Sequence, residues 1–223
     1  MKSPTAQMPN AGGHFMEALS IRAKTKNFIN KIIRFINNFK RPSRQANSKL
    51  LHQRGDTMNS FIIREAIIED LPALADLHVK TWNETYPNFR RPPTYEIREQ
   101  QWREQFSIQD GNWFCFIIEN SKKELIGFAK GKRNPDNTGI VDKIYLLRQY
   151  QRLGLGRKLI GQVAHQFVIM AVKNISLFGI PQNPSCYFHE AIGGERLYAP
   201  NGEFHGGYIW RDLQKLISLC SIE

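Results

Sequence analysis

The sequence has few cysteines and no long apolar run. Its 223 residues include only Cys115, Cys186 and Cys220, which are widely spaced and form no CxxC pair. The histidines have no HExxH-type spacing either, so we expect neither a disulfide framework nor a metal site. No apolar run approaches the roughly 18 residues that cross a bilayer, and the start of the chain lacks a secretory signal pattern. These absences predict a cytoplasmic protein.

Acidic residues are scarce only in the first quarter of the chain. The net charge is +11, and residues 1–57 hold eleven Lys and Arg against two acidic residues. Residues 58–223 therefore carry only +2. This balance is far from the basic composition that follows nucleic-acid phosphates, so we expect no specific nucleic-acid partner.

The change in charge also predicts two parts, a basic extension over residues 1–57 and a folded domain over residues 58–223. The extension starts with a Pro-, Gly- and Asn-rich stretch that we expect to be disordered. Between residues 19 and 40, apolar positions recur at helical spacing with basic residues between them, which predicts an amphipathic helix. Such a helix binds an anionic membrane surface or an acidic partner, and one hypothesis makes the protein a membrane-associated adaptor. A solvated extension and translation from Met58 are the alternatives.

Hydrophobic periodicity in the second part predicts the order β-α-α-β-β-β-α-β-α-β, a mixed α/β domain of α+β type. Two of the strands flank a short polar turn and are expected to form an antiparallel hairpin. Nothing in the pattern predicts an oligomeric state. The predicted strands are 61–64, 113–119, 125–131, 140–146, 175–180 and 207–211, and the predicted helices are 69–82, 95–106, 156–172 and 185–192.

The most informative segment lies between a predicted strand and a predicted helix. Gly154 and Gly156 let backbone N–H groups approach phosphate oxygens without a Cβ atom in the way, and the helix N-terminus adds partial positive charge. Arg152, Arg157 and Lys158 add full charges. The segment matches neither a P-loop nor a dinucleotide fingerprint, because the required Ser or Thr and the third small residue are missing. It indicates a diphosphate site, with a plain strand-to-helix turn as the alternative.

The motif Gln151-Arg-Leu-Gly-Leu-Gly156 resembles the pyrophosphate loop of the GNAT superfamily of N-acetyltransferases, whose form is Gln/Arg-x-x-Gly-x-Gly/Ala. The resemblance covers residues 61–215, and several further matches occur in the family's order. These matches are Ile63-Arg64-Glu65-Ala66, His78 to Trp82, Trp102-Arg103, and Tyr208 to Leu213.

The resemblance implies a central, mostly antiparallel sheet that is splayed at the cofactor site, and acetyl transfer from acetyl-CoA to a small-molecule or peptide amine. A noncatalytic acyl-CoA-binding regulatory module is the alternative function. By position, Ile144, Tyr145 and Leu146 are implied to meet the acetyl and pantetheine portion, where a backbone N–H bonds the thioester carbonyl. The pyrophosphate is implied to lie on Arg152, Leu153, Gly154, Leu155, Gly156 and Arg157.

A later segment, residues 183–194, is similar to the family's Asn-Pro-x-x-x-Phe-Tyr-Glu-x-x-Gly-Gly. Asn183 is thereby implied to contact the cofactor. His189 stands where the family has a Tyr that is often assigned as the acid for the departing CoA thiolate. Because an imidazolium donates a proton and a neutral imidazole donates a hydrogen bond, His189 is the candidate acid. A histidine that only packs or caps is the alternative.

Asp142 is the candidate base for the incoming amine. Strand alternation predicts that its side chain shares a face with Ile144 and Leu146. The alternatives are an ion pair with Lys130 or Lys132, and proton removal through a chain of waters.

Trp82 and Tyr86 are the candidate acceptor-binding residues. They are i, i+4 partners on a helix that borders the acceptor cleft in the resembled family. Their alternative role is in the hydrophobic core.

Overall fold

The chain divides into two units, Met1–Gly55 and Asp56–Glu223. The computed structural model describes residues 60–87, 90–181 and 183–221, all in the second unit. The predicted extension and its basic helix lie outside the described residues, so the domain division at residues 57 and 58 stays a prediction. No helix within the described ranges is long and apolar enough to cross a membrane.

A seven-stranded sheet forms the centre of the second unit. The strands are β1 Ile62–Glu65, β2 Trp113–Glu119, β3 Leu125–Arg133, β4 Gly139–Leu146, β5 Ile175–Phe178, β6 Glu195–Tyr198 and β7 Phe204–Trp210. Their order in the sheet is β1-β2-β3-β4-β5-β7-β6. All neighbouring strands are antiparallel except β4 and β5, which are parallel. The predicted mixed and mostly antiparallel sheet is confirmed.

Helices cover both faces of the sheet. They are α1 Leu71–Thr85, α2 Tyr95–Ser107, α3 Leu155–Ile169, α4 Ser185–Ala191 and α5 Leu213–Cys220. The Thr94 side chain caps α2 by accepting from the Ile97 N–H at 3.4 Å, and Asp212 caps α5 by accepting from the Lys215 N–H at 2.9 Å. These caps satisfy backbone donors that a helix N-terminus leaves free.

Two elements are missing from the predicted order, β6 and α5. Strand β6 has four residues, lies at the sheet edge and keeps only Leu197 half-buried, so it carries almost no alternating pattern. Helix α5 carries a clear signal, an Asp N-cap followed by the buried residues Leu213, Leu216 and Cys220. Its omission is an error of interpretation, because that spacing is helical.

Each face of the sheet has its own hydrophobic core. Helices α1 and α2 pack Leu74, Leu77 and Trp102 against Ile117 and Phe128. On the opposite face, α3 contributes the fully buried residues Leu159, Val163 and Phe167, and the larger core there continues to α5. The sheet is thus held between two helical layers, as amphipathic helices on a sheet require.

Strands β4 and β5 separate after a short parallel stretch. They pair only from Gly139 to Val141, opposite Ile175 to Leu177, so residues 142–146 of β4 have no partner on β5. A β-bulge occurs where they part, because adjacent residues of β3 pair with Val141 and Lys143 and leave Asp142 unpaired. Bulges bend a strand and increase its twist. The predicted splay of the sheet is confirmed.

Candidate active site

The link between β4 and α3 has the backbone shape of an anion site. Arg152 and Gly154 have positive φ angles of 65° and 78°. The Gln151 N–H bonds the Arg148 carbonyl, and the N–H groups of Arg157 and Lys158 bond the Gly154 carbonyl. The five intervening N–H groups, of residues 152–156, have no acceptor in the part of the chain that the structure describes. Successive free N–H groups at a helix N-terminus bind phosphate, so the backbone of this loop is arranged to bind an anion.

Some side chains around this loop hold the local structure together, and others are exposed to solvent. Gln151 donates its side-chain N–H to the Leu146 carbonyl at 3.0 Å, which fixes the end of β4. Arg157 donates to the Leu219 carbonyl at 3.0 Å and so ties α3 to α5. Arg152 and Lys158 are exposed. Arg157 was predicted for the pyrophosphate, but its guanidinium already has a structural partner.

The unpaired end of β4 presents one free edge beside the loop. Ile144 and Leu146 pack against the core under α3, while Tyr145 belongs to the core under α1 and α2. The backbone of these residues pairs with β3 on one side only. A free strand edge offers N–H and C=O groups to a ligand, so this edge is available to an elongated ligand.

The prediction that Asp142 shares a face with Ile144 and Leu146 is wrong. The bulge at Asp142 interrupts the alternation, and the carboxylate instead contacts Nζ of Lys130 at 3.0 Å and Nζ of Lys143 at 2.7 Å. Partial burial raises the pKa of Asp142, but the two lysines outweigh it and hold the pKa below its usual value. A carboxylate with a lowered pKa is a weak base, so the geometry favours the ion-pair role.

His189 is 4% exposed and belongs to an aromatic cluster on α4 and β7. Its ring centre lies 5.2 Å from that of Tyr208 and 6.0 Å from that of Trp210. Its Nδ1 atom is buried and has no partner among the described residues. Burial lowers the pKa of His189 to about 4, against a small opposing effect of Glu190. The imidazole is therefore neutral at neutral pH.

Two predicted residues from distant parts of the chain meet at the splay. Tyr86, just after α1, interacts through its hydroxyl with Asn183, which precedes α4. Burial raises the pKa of Tyr86, and the hydrogen bond with Asn183 opposes the rise. The Arg148 guanidinium and N–H bond Glu84 at 2.8 and 2.7 Å, which attaches the end of α1 to the loop after β4. Trp82 packs against Tyr86 with ring centres 4.6 Å apart and ring planes tilted by 53°.

The sequence interpretation missed a polar cavity of about 270 Å³ under α1 and α2. Its lining is His78, Arg98, Gln101, Trp102, Gln105, Lys130 and Lys143. Burial, with smaller contributions from the nearby cations Arg98 and Lys143, lowers the pKa of His78 to about 2, so His78 is neutral. No sequence signal distinguishes Arg98 from the exposed Arg103 on the same helix.

The described residues contain no group of three or more His, Cys, Asp or Glu side chains that could hold a metal ion.

A splayed mixed sheet with an anion-binding loop at its centre defines the class of acyl-CoA-dependent transferases. The family model described as the acetyltransferase (GNAT) family matches residues 72–193. The chain belongs to this family, as the loop motif predicted. It is an acyltransferase, and acetyl-CoA is the acetyl donor that this family uses.

The chain is also similar to individual N-acetyltransferases. The chain is similar to an uncharacterized N-acetyltransferase, YuaI, of Bacillus subtilis (strain 168), with 30% identity over 174 residues, covering 71% of this chain and 98% of the relative. It is also similar to phosphinothricin N-acetyltransferase of Streptomyces viridochromogenes, with 28% identity over 160 residues, 68% of this chain and 83% of the relative. The PaiA N-acetyltransferase of Thermoplasma acidophilum, solved in complex with coenzyme A, has a TM-score of 0.55 at 20% identity, covering 69% of this chain and 99% of that one. That likeness supports the fold.

Proposed function

We propose that this protein transfers the acetyl group of acetyl-CoA directly to the amine of a small molecule or peptide, at the unpaired end of β4. The observation that carries the proposal is the run of five N–H groups, residues 152–156, that have no acceptor among the described residues and lie beside a strand edge that no described strand pairs with. The loop would hold the pyrophosphate. The strand edge would then receive the pantetheine and the thioester.

The proposed chemistry relies on backbone polarity more than on charged side chains. A backbone N–H of residues 144–146 would bond the thioester carbonyl, and this bond strengthens as negative charge develops on the oxygen. Asn183 would hold the pantetheine, with Tyr86 against it. The printed name of the Streptomyces relative refers to a small-molecule acceptor, phosphinothricin, which supports the small-molecule class here.

Proton transfer at both ends of the reaction follows from the side-chain environments. The attacking amine must lose a proton, and a carboxylate already paired with Lys130 and Lys143 accepts one poorly. We therefore expect water to remove it, so that the rate rises with pH as the amine becomes neutral. His189 stays the candidate partner for the departing thiolate, acting as a neutral imidazole that donates a hydrogen bond.

Direct transfer is tested by steady-state kinetics with a panel of amines, following CoA release and identifying the acetylated product by mass spectrometry. A direct mechanism gives intersecting double-reciprocal lines and no acetylated protein when acetyl-CoA is supplied alone. The control is Cys186→Ala, because Cys186 is the one described thiol that is not buried. Parallel lines, or an acetyl-protein that Cys186→Ala abolishes, would show a covalent intermediate and contradict the proposal.

A further inference from the structure

Arg98 is a buried cation that has no counter-ion among the residues that the structure describes. It is 8% exposed, and its guanidinium lies over the Trp82 ring at 4.8 Å from the ring centre. Its Nη1 donates to the Gln101 side-chain carbonyl at 2.8 Å. Its Nε has no partner, and no carboxylate lies within ion-pair distance of it, among the described residues. Arginine keeps its charge under such conditions, so the charge remains uncompensated.

The rest of the cavity adds to this positive charge. Lys130 and Lys143 line the same space, with side chains 12% and 25% exposed, and both contact the single carboxylate of Asp142. His78 contributes no negative charge. Burying an unpaired charge is costly, and buried charges in proteins are normally paired. A cavity that gathers three cations near one carboxylate has room for one or two negative charges from a ligand.

The cavity lies beside the proposed reaction centre. Lys143 immediately precedes Ile144 on the unpaired end of β4. The Tyr145 ring lies 5.6 Å from the ring of His78, which also lines the cavity. A small acceptor whose charged group sits near Arg98 therefore extends along β4 toward the position of the thioester.

We propose that this cavity binds the acidic group of the acceptor, so that the substrate class is a small amine that also carries a carboxylate, phosphonate or phosphate. The inference rests on the proposed function. A volume of about 270 Å³ is near the lower end of the range for ligand sites and suits a small acid. A polyamine would bring a second positive charge into the cavity and is disfavoured by repulsion from Arg98, Lys130 and Lys143.

The test compares matched amines in the full chain: methionine with methioninamide, and 2-aminoethylphosphonate with ethylamine. Rates are corrected for the neutral fraction of each amine. The acidic member of each pair should have the higher kcat/KM by about 10- to 100-fold, the size expected for charge-assisted hydrogen bonds. Most of the difference should appear in KM, because Arg98 contacts a group that does not react.

Variants then assign the preference to Arg98. Arg98→Met keeps the side-chain length and removes the charge, and it should lower kcat/KM for the acidic amine by about 10- to 100-fold with little change for its neutral partner. Arg98→Lys should keep part of the preference. The matched control is Arg103→Met on the same helix, whose exposed guanidinium pairs with Glu99, and it should change neither amine.

A thermal-shift measurement gives a readout that does not depend on turnover. Saturating 2-aminoethylphosphonate should raise the melting temperature of the wild-type chain and of Arg103→Met, but not that of Arg98→Met. Equal kcat/KM within each pair, or a preference that Arg98→Met leaves intact, would overturn the inference while leaving acetyl transfer in place. If neither the acidic nor the neutral amines cause release of CoA, the result contradicts the proposed acetyl transfer itself and not only the preference for acidic amines.

Discussion

At the scale of single residues, the buried histidines are the clearest source of pH dependence. His78 is 1% exposed and His189 is 4% exposed. Burial lowers the pKa of His78 to about 2 and that of His189 to about 4. Both rings pack against aromatic side chains, and neither has a described partner for its Nδ1 atom. Each therefore favours the neutral form in the folded state.

The free energy of unfolding should decrease as the pH falls below about 6.5, the ordinary pKa of a histidine. Between pH 6.5 and 4 the unfolded chain binds a proton at position 189 that the folded chain excludes, so acid favours unfolding by up to about 1.4 kcal/mol per pH unit. Above pH 6.5 both states are neutral and this contribution disappears. His189→Phe should reduce the slope between pH 6 and 4.5 by about this amount.

Urea denaturation of both proteins across this pH range measures the slope. His165→Gln, at an exposed position of α3, is the control and should follow the wild type. If His189→Phe and the wild type have parallel curves, the imidazole is accessible to protons in the folded state, and the neutral hydrogen-bonding role proposed for it must be abandoned.

At the scale of elements, the loop between β4 and α3 depends on its two glycines in different ways. Gly154 has a φ of 78°, where a Cβ atom costs roughly 1–2 kcal/mol. Gly156 lies in the first turn of α3, and a Cβ there would lie 3.5 Å from the Phe188 ring, an ordinary contact. The first glycine is required by its backbone angle, and the second position accepts alanine.

Gly154→Ala should therefore weaken acetyl-CoA binding by about tenfold or more, because relief of the strain rotates the free N–H groups away from the phosphates. Gly156→Ala should bind within about threefold of the wild type, since a contact of this kind needs little rearrangement. Isothermal titration calorimetry with acetyl-CoA, on variants shown to be folded by circular dichroism, measures both. Equal affinities for the two variants would count against the loop as the pyrophosphate site.

The elements also show how far the sequence could predict the fold and the site. The strand–glycine–helix junction was predictable because φ angles and helix N-termini depend on local residue type. The side of the sheet on which the Asp142 side chain lies could not be predicted, because the bulge on β4 depends on how β4 pairs with β3. The cluster of Arg98, Lys130 and Lys143 could not be predicted either, since it forms only when α2 and two strands come together in the fold. His189 was identified by position, but its burial follows from β7, which is distant in sequence.

At the scale of the whole molecule, charge and chemistry are separated along the chain. Residues 1–57 carry most of the net charge of +11, while every residue of the candidate site lies in the unit Asp56–Glu223. The family match over residues 72–193 falls within the same unit. Contact of residues 19–40 with an anionic surface or acidic partner stays a prediction.

The separation of charge from chemistry predicts that the second part of the chain binds acetyl-CoA without the basic extension. A protein starting at Met58 should fold and bind acetyl-CoA with an affinity within about threefold of the full chain. The physical reason is that the contacts that support the site lie within this unit. They attach the loop after β4 to α1 and to the end of β4, and they attach α3 to α5. The positive charge of residues 1–57 attracts the phosphates of the cofactor over a long range, and physiological salt reduces this attraction because its screening length is about 8 Å. Calorimetry at low and physiological salt separates the two effects. Affinities that differ at low salt and converge at physiological salt would fit this division of the chain. A folded protein from Met58 that fails to bind acetyl-CoA at either salt concentration would show that residues 1–57 form part of the site.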